Sequence, residues 1–99
     1  MYGLSNNTIN SVREIMATIP EIEEAVIYGS RARGDHKPTS DIDIALKGSL
    51  LTIRHITLLD EKLDDLYLPV FFDTCILANL KDKDLLDNIR RNGKTMYKR

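Results

Sequence analysis

Ala25-Val26-Ile27-Tyr28-Gly29-Ser30, then ten residues, then Asp41-Ile42-Asp43-Ile44-Ala45-Leu46, is the stretch that decides how this chain folds. The first apolar run is too short for a helix, is rich in strand formers and stops at Gly29, so it reads as a strand. Arg31 to Ser40 is polar and broken by Gly34, Asp35 and Pro38. The second run alternates polar and apolar residues before Gly48 and reads as another strand. Side chains alternate along a strand, so Asp41 and Asp43 project to one face while Ile42, Ile44 and Leu46 turn to the other and can pack against helices.

Outward from this centre the remaining elements follow. On the N-terminal side, Ser5, Asn6 and Asn7 offer capping oxygens before Ile9, Val12, Met16 and Ile19, which recur at helical spacing; the helix is expected to end near Thr18, ahead of Pro20. On the C-terminal side, Ile53, Ile56, Leu59, Leu63 and Leu66 form an apolar stripe with Ser49 or Thr52 to cap it, which predicts a second, core-packed helix. Val70 to Leu77 reads as a third strand, apolar except for Asp73. Leu85, Leu86 and Ile89 suggest a short last helix closed by Asn92-Gly93, where a left-handed residue usually ends a helix. The tail from Lys94 to Arg99 is a short strand or frayed. The order helix, strand, strand, helix, strand, helix, without repeat or linker, predicts one α+β domain over residues 1–99, a small mixed β-sheet backed by helices.

With 99 residues and a formal net charge of −1, the chain has no overall field to attract nucleic acid or an anionic membrane, and no direct nucleic-acid binding is expected. No stretch could span a bilayer and no secretory signal is evident, so a cytoplasmic location is expected. Cys75 is the only cysteine; a small buried thiol without catalytic role is its ordinary reading.

Two carboxylates sharing a strand face repel unless a cation sits between them, and Mg²⁺ favours one or two carboxylates together with water and phosphate oxygens. If the third strand lies beside the second with Asp73 on the same face, three carboxylates converge, enough for two metals roughly 4 Å apart in a phosphoryl-transfer site. Gly29-Ser30 follows a strand, where a turn without a Cβ lets backbone N–H groups and a hydroxyl approach a triphosphate. A helix starting at Ser30 would add its dipole. Arg31 and Arg33, and more weakly Lys37, are placed to offset phosphate charge. Bound metal would polarise the α-phosphate, and Asp73 is a candidate to take the acceptor's proton.

A lone Gly-Ser usually marks an ordinary turn, and Asp-x-Asp alone is more often a solvated strand face; in this order and joined by strands they become specific. His36 and His55 lack a partner histidine at ligand spacing and read as surface or helix-face residues. Asp60, Glu61, Asp64 and Asp65 read as the polar face of an amphipathic helix.

Gly29-Ser30, ten residues and Asp41-Ile42-Asp43 resemble the signature of the DNA polymerase beta-like nucleotidyltransferase superfamily, in its minimal, MNT-type branch. Tyr28 to Gly34, Ser40 to Ile44, the isolated Asp73 and the ending Ile89 to Lys94 agree with that branch. The resemblance implies that Gly29 and Ser30 hold the triphosphate of ATP and that Asp41, Asp43 and Asp73 are catalytic and bind two Mg²⁺ ions. It also implies an antitoxin that partners a HEPN-domain toxin, in some members by transferring AMP to a tyrosine of that toxin. Larger members grip substrate with a helical domain that this sequence does not include, so a partner or a homo-oligomer is expected to supply that surface. By alternation Phe71, Cys75 and Leu77 should share the face of Asp73, either as a contact patch or beneath a covering element of the same chain. Two alternatives stay open: an antitoxin that acts by contact alone, and nucleotidyl transfer to a small molecule or an RNA end.

Overall fold

A computed structural model describes residues 1–99. Its elements are α1 (Asn6–Ala17), β1 (Glu24–Tyr28), α2 (Ser30–Arg33), β2 (Ile42–Lys47), α3 (Ile53–Asp64), β3 (Phe72–Ile76), a 3₁₀ turn (Leu77–Asn79), α4 (Lys83–Asn92) and β4 (Lys94–Lys98). The strands form one sheet in the order β3-β2-β1-β4. β1 runs antiparallel to both β2 and β4, whereas β2 and β3 are parallel. A parallel pair needs a crossover connection, and α3 supplies it. The architecture is thus the expected α+β arrangement, a mixed sheet backed by helices.

Period-two alternation sends alternate residues of β1 and β2 to opposite faces. Ala25, Ile27, Ile42, Ile44 and Leu46 meet Val12 and Met16 of α1 and Ile56, Leu59 and Leu63 of α3 in the main core. On the other face Val26, Tyr28 and Ala45 pack against Ile89 of α4, with Cys75, Leu77, Leu80 and Leu85 at their margin. β2 is therefore central, with apolar residues buried on both sides. No helix is long and apolar enough to cross a membrane.

Helix starts follow their capping chemistry. Ser5 accepts the Thr8 N–H at α1. At α3, Thr52 and His55 form a reciprocal capping box, and His55 Nε2 also lies 3.4 Å from Glu21, so this histidine has a structural task at a helix end.

Three expectations need correction and one alternative is decided. Ile53, assigned to the core stripe of α3, is 71% exposed at the first position of the helix. The third strand is shorter than Val70–Leu77, since Leu77 enters the 3₁₀ turn. Of the two readings of the tail the strand holds, as β4, paired with β1. Gly93 has φ −64°, outside the left-handed region; a Cβ there would instead collide with the Ile89 carbonyl oxygen and come within 2.7 Å of Val26 Cγ1. Close packing, not handedness, selects glycine.

Candidate functional site

The candidate site forms where β1 ends and β2 and β3 begin. Tyr28 pairs with Asp43 across β1 and β2, and Asp43 pairs with Asp73 across β2 and β3. Register partners on neighbouring strands present their side chains on the same face, so Asp43 and Asp73 stand side by side. Asp41 lies one residue before β2 and shares this face by alternation. Asp41 and Asp73 are exposed and Asp43 is half-buried.

The carboxylates act on one another. Burial first, then the charges of Asp73 and Asp41, raise the pKa of Asp43 above the usual aspartate range, and Arg33 works in the opposite direction. A cation is the natural relief for such crowding, and oxygen donors suit Mg²⁺. The third strand does lie beside the second, as the convergence of three carboxylates required, but no three His, Cys, Asp or Glu side chains are grouped closely enough to hold an ion by themselves. Mg²⁺ seldom uses an all-protein cage; one or two carboxylates completed by water and nucleotide phosphates suffice, and Asp41, Asp43 and Asp73 fit that requirement in donor type and in placement on one face.

Gly29 joins the turn to this acidic face. Its φ of 74° and ψ of −154° belong to a region open essentially to glycine alone. A Cβ would collide with Asp43 Oδ2 and lie 3.3 Å from its Cγ, so the missing side chain is what lets the carboxylate rest against the turn. α2 begins at Ser30 but has only four residues. The helix dipole expected there reduces to one turn, and what remains is the set of first-turn N–H groups that have no carbonyl behind them.

The basic residues separate into two kinds. Arg33 is partly exposed, pairs with Asp35 at 3.2 Å and lies near enough to oppose the rise at Asp43. Arg31 had been expected to contact phosphate; it is only 3% exposed and its guanidinium donates to three backbone carbonyls, which leaves it turned into the fold. The Lys37 N–H donates to Ser40 Oγ, holding the intervening loop.

Cys75, expected on this face by alternation, is joined there by Tyr28, which the sequence did not mark. Tyr28 Oη and Cys75 Sγ are 3.7 Å apart. Burial raises the pKa of Tyr28, helped by its hydrogen bond to Cys75 and by Asp43 and Asp73. Burial likewise raises the Cys75 thiol, which fits an unreactive packing role. Only the register between strands could have revealed this pair. On the face of Asp73, Cys75 and Leu77 pack at the margin of the cluster beneath α4, whereas Phe71 stays 81% exposed.

The largest cavity, about 420 Å³, lies at the far end of the same sheet face among Glu24, Val26, Lys47, Ile89 and Gly93 and touches none of the aspartates. The acidic site lies apart from it, with Asp41 and Asp73 exposed.

Residues 10–99 match the family model described as "Polymerase beta, Nucleotidyltransferase". No curated protein matches the chain. Among solved structures, a chain from the crystal structure of a toxin–antitoxin with AMP-PNP is 26% identical, with a TM-score of 0.70 over 97% of this chain and 75% of that one. A chain from the complex of tri-AMPylated Shewanella oneidensis HEPN toxin with MNT antitoxin is 21% identical, with a TM-score of 0.68 over 97% and 74%, and supports the fold alone. A solved chain from Sulfolobus solfataricus is 25% identical, with a TM-score of 0.58 over 92% of this chain and 77% of that one.

Proposed function

Since the chain belongs to the polymerase beta nucleotidyltransferase family, we propose that it is a Mg²⁺-dependent transferase that moves AMP from ATP to a protein partner of the HEPN toxin type, acting as its antitoxin. The observation that carries this reading is the pairing of Asp43 with Asp73 beside a glycine turn packed on Asp43. Similarity to chains from toxin–antitoxin structures, one of them holding AMP-PNP, supports the partner and the nucleotide. We take residues 1–99 as one nucleotidyltransferase unit.

In this reading Asp41, Asp43 and Asp73 hold the metal, the Gly29-Ser30 turn receives the triphosphate through its N–H groups and hydroxyl, and Arg33 offsets phosphate charge. Mg²⁺, when bound with ATP, supplies charge neutralisation and polarisation at the α-phosphate. Asp73, exposed on its strand, accepts the proton of the acceptor hydroxyl as the oxygen–phosphorus bond forms and pyrophosphate leaves. The exposure of Asp41 and Asp73 suits an acceptor presented by a large partner.

The decisive experiment is intact mass spectrometry of the chain with its co-purified partner after incubation with ATP and Mg²⁺, with Asp41→Asn as control. A partner mass gain of one or more AMP units, lost in the control, is expected. Stable association without mass gain, with toxin neutralisation that survives Asp41→Asn, would replace this reading by an antitoxin that works through contact alone.

A further inference from the structure

Asp41 is delivered to the site by a segment with little structure of its own. Residues 35–40 contain one turn, closed by the Ser40 N–H donating to the Lys37 carbonyl at 2.9 Å and the Lys37 N–H donating to Ser40 Oγ at 2.9 Å. Arg31 holds this segment from beneath. Its Nε donates to the Ser40 carbonyl at 3.1 Å, its Nη2 to the Pro38 carbonyl at 3.3 Å and its Nη1 to the Tyr2 carbonyl at 2.9 Å. It is the one charged residue buried in the chain, and none of the ion pairs includes it.

A buried guanidinium without a carboxylate partner is expensive. A neutral side chain would fill the space at lower cost, but it could not grip three carbonyls from two separate segments; the planar fork of arginine can, and the single ammonium of lysine reaches fewer. The Ser40 carbonyl belongs to the planar peptide unit that ends at the Asp41 Cα. Fixing that oxygen fixes where Asp41 enters β2. The third carbonyl brings in an N-terminal strap, packed so closely that a Cβ on Gly3 would collide with His36 Nε2 and lie 3.0 Å from Arg31 Nη1.

We infer that Arg31 is a positioning residue, which clamps the Tyr2, Pro38 and Ser40 carbonyls and thereby sets Asp41 beside Asp43 for metal binding. The clamp itself is a property of the fold; its consequence at Asp41 rests on the nucleotidyltransferase reading.

Full-length wild type, Arg31→Lys and Gly3→Ala are compared by amide hydrogen exchange, by Mn²⁺ titration followed by electron paramagnetic resonance, and by the Mg²⁺ concentration that half-saturates transfer. Arg31→Lys is expected to lose protection at the Ser40 amide while β1 and β2 stay protected. Its Mn²⁺ affinity should fall about tenfold, as when a supporting partner of a metal ligand is removed, with a matching rise in the Mg²⁺ requirement. A variant that melts earlier but keeps wild-type Ser40 exchange and Mn²⁺ affinity would reduce Arg31 to packing and overturn the inference. Should Arg31→Lys not fold, Gly3→Ala decides, since it displaces the strap without altering the buried cation: the same changes in weaker form support the clamp, and unchanged exchange at Ser40 overturns it. If wild type shows neither transfer nor Mn²⁺ binding dependent on Asp41, the nucleotidyltransferase reading and the metal role inferred for Arg31 fail together, and the exchange data then report on the clamp alone.

Discussion

Asp43 and Asp73 are register partners on neighbouring parallel strands, so two like charges stand side by side while the Gly29 turn presses on the first of them. A fold optimised for stability alone would not place them so, because like charges directly opposite in a sheet are unfavourable. Crowding of this kind is what the proposed Mg²⁺ would relieve.

Asp73→Asn should therefore separate stability from activity. Relieving the repulsion is expected to stabilise the metal-free protein by a few tenths of a kcal/mol, seen as a higher urea midpoint, while AMP transfer is lost. Lower stability together with retained transfer would place Asp73 outside the site.

The same crowding fixes a pH dependence. Burial, then Asp73 and Asp41, raise the folded-state pKa of Asp43 above its unfolded value, so the folded state binds a proton more tightly. Below the unfolded pKa neither state is penalised. As pH rises from there through the folded pKa, the unfolded chain releases its proton first, and this group's contribution to stability falls. Metal-free wild type should thus show a destabilising contribution from Asp43 on going from acid to neutral pH, and Asp43→Asn should remove it. The difference between their urea midpoints, followed across that range, checks the sign.

Gly29→Ala tests the contact between turn and carboxylate. The backbone region at Gly29 costs other residues about 1–3 kcal/mol, and the added Cβ would strike Asp43. A loss of that order in chemical denaturation is expected, together with loss of transfer. Full activity would mean that the turn can move away from Asp43 at no expense.

Arg33→Gln tests the remaining cation at the site. Exposed ion pairs contribute up to about 1 kcal/mol, so ATP binding should weaken by about fivefold, with a shallower dependence on salt than wild type. Calorimetric titration at two ionic strengths would reveal either. Identical affinities would leave the triphosphate to the turn and the metal alone.

How far the sequence reached depended on whether the information was local. Strand alternation placed Ile42, Ile44 and Leu46 in the core, capping chemistry placed the start of α1, and the spacing from Gly29 to Asp43 pointed to the candidate site. What it missed needed two distant segments at once. Arg31 and Arg33 are indistinguishable as neighbours in a polar run; only the positions of Tyr2, Pro38 and Ser40 show that the first turns inward. The nearness of Tyr28 to Cys75 required the order β3-β2-β1. Ile53 fits a helical stripe, but helix periodicity does not say that the first position of the helix stays exposed.

Gly93 shows the same limit and yields a direct test. Its place after Asn92 suggested a left-handed helix end, for which Ala would be poor because of φ alone. The observed φ of −64° and ψ of 146° suit any residue, so backbone conformation predicts that Gly93→Ala is harmless. Packing predicts the opposite, since the new methyl would collide with the Ile89 carbonyl oxygen and crowd Val26 Cγ1. Overfilling a close-packed contact costs about 1–3 kcal/mol, and this contact joins the end of α4 to β1 on the second core face. Gly93→Ala should therefore destabilise by that amount, whereas Gly93→Asn, which a left-handed cap would tolerate, should be at least as damaging because its side chain is larger. Thermal and urea melts of the two variants decide between the explanations: tolerance of Asn with damage by Ala would restore the left-handed cap, and damage by both establishes close approach as the reason for glycine.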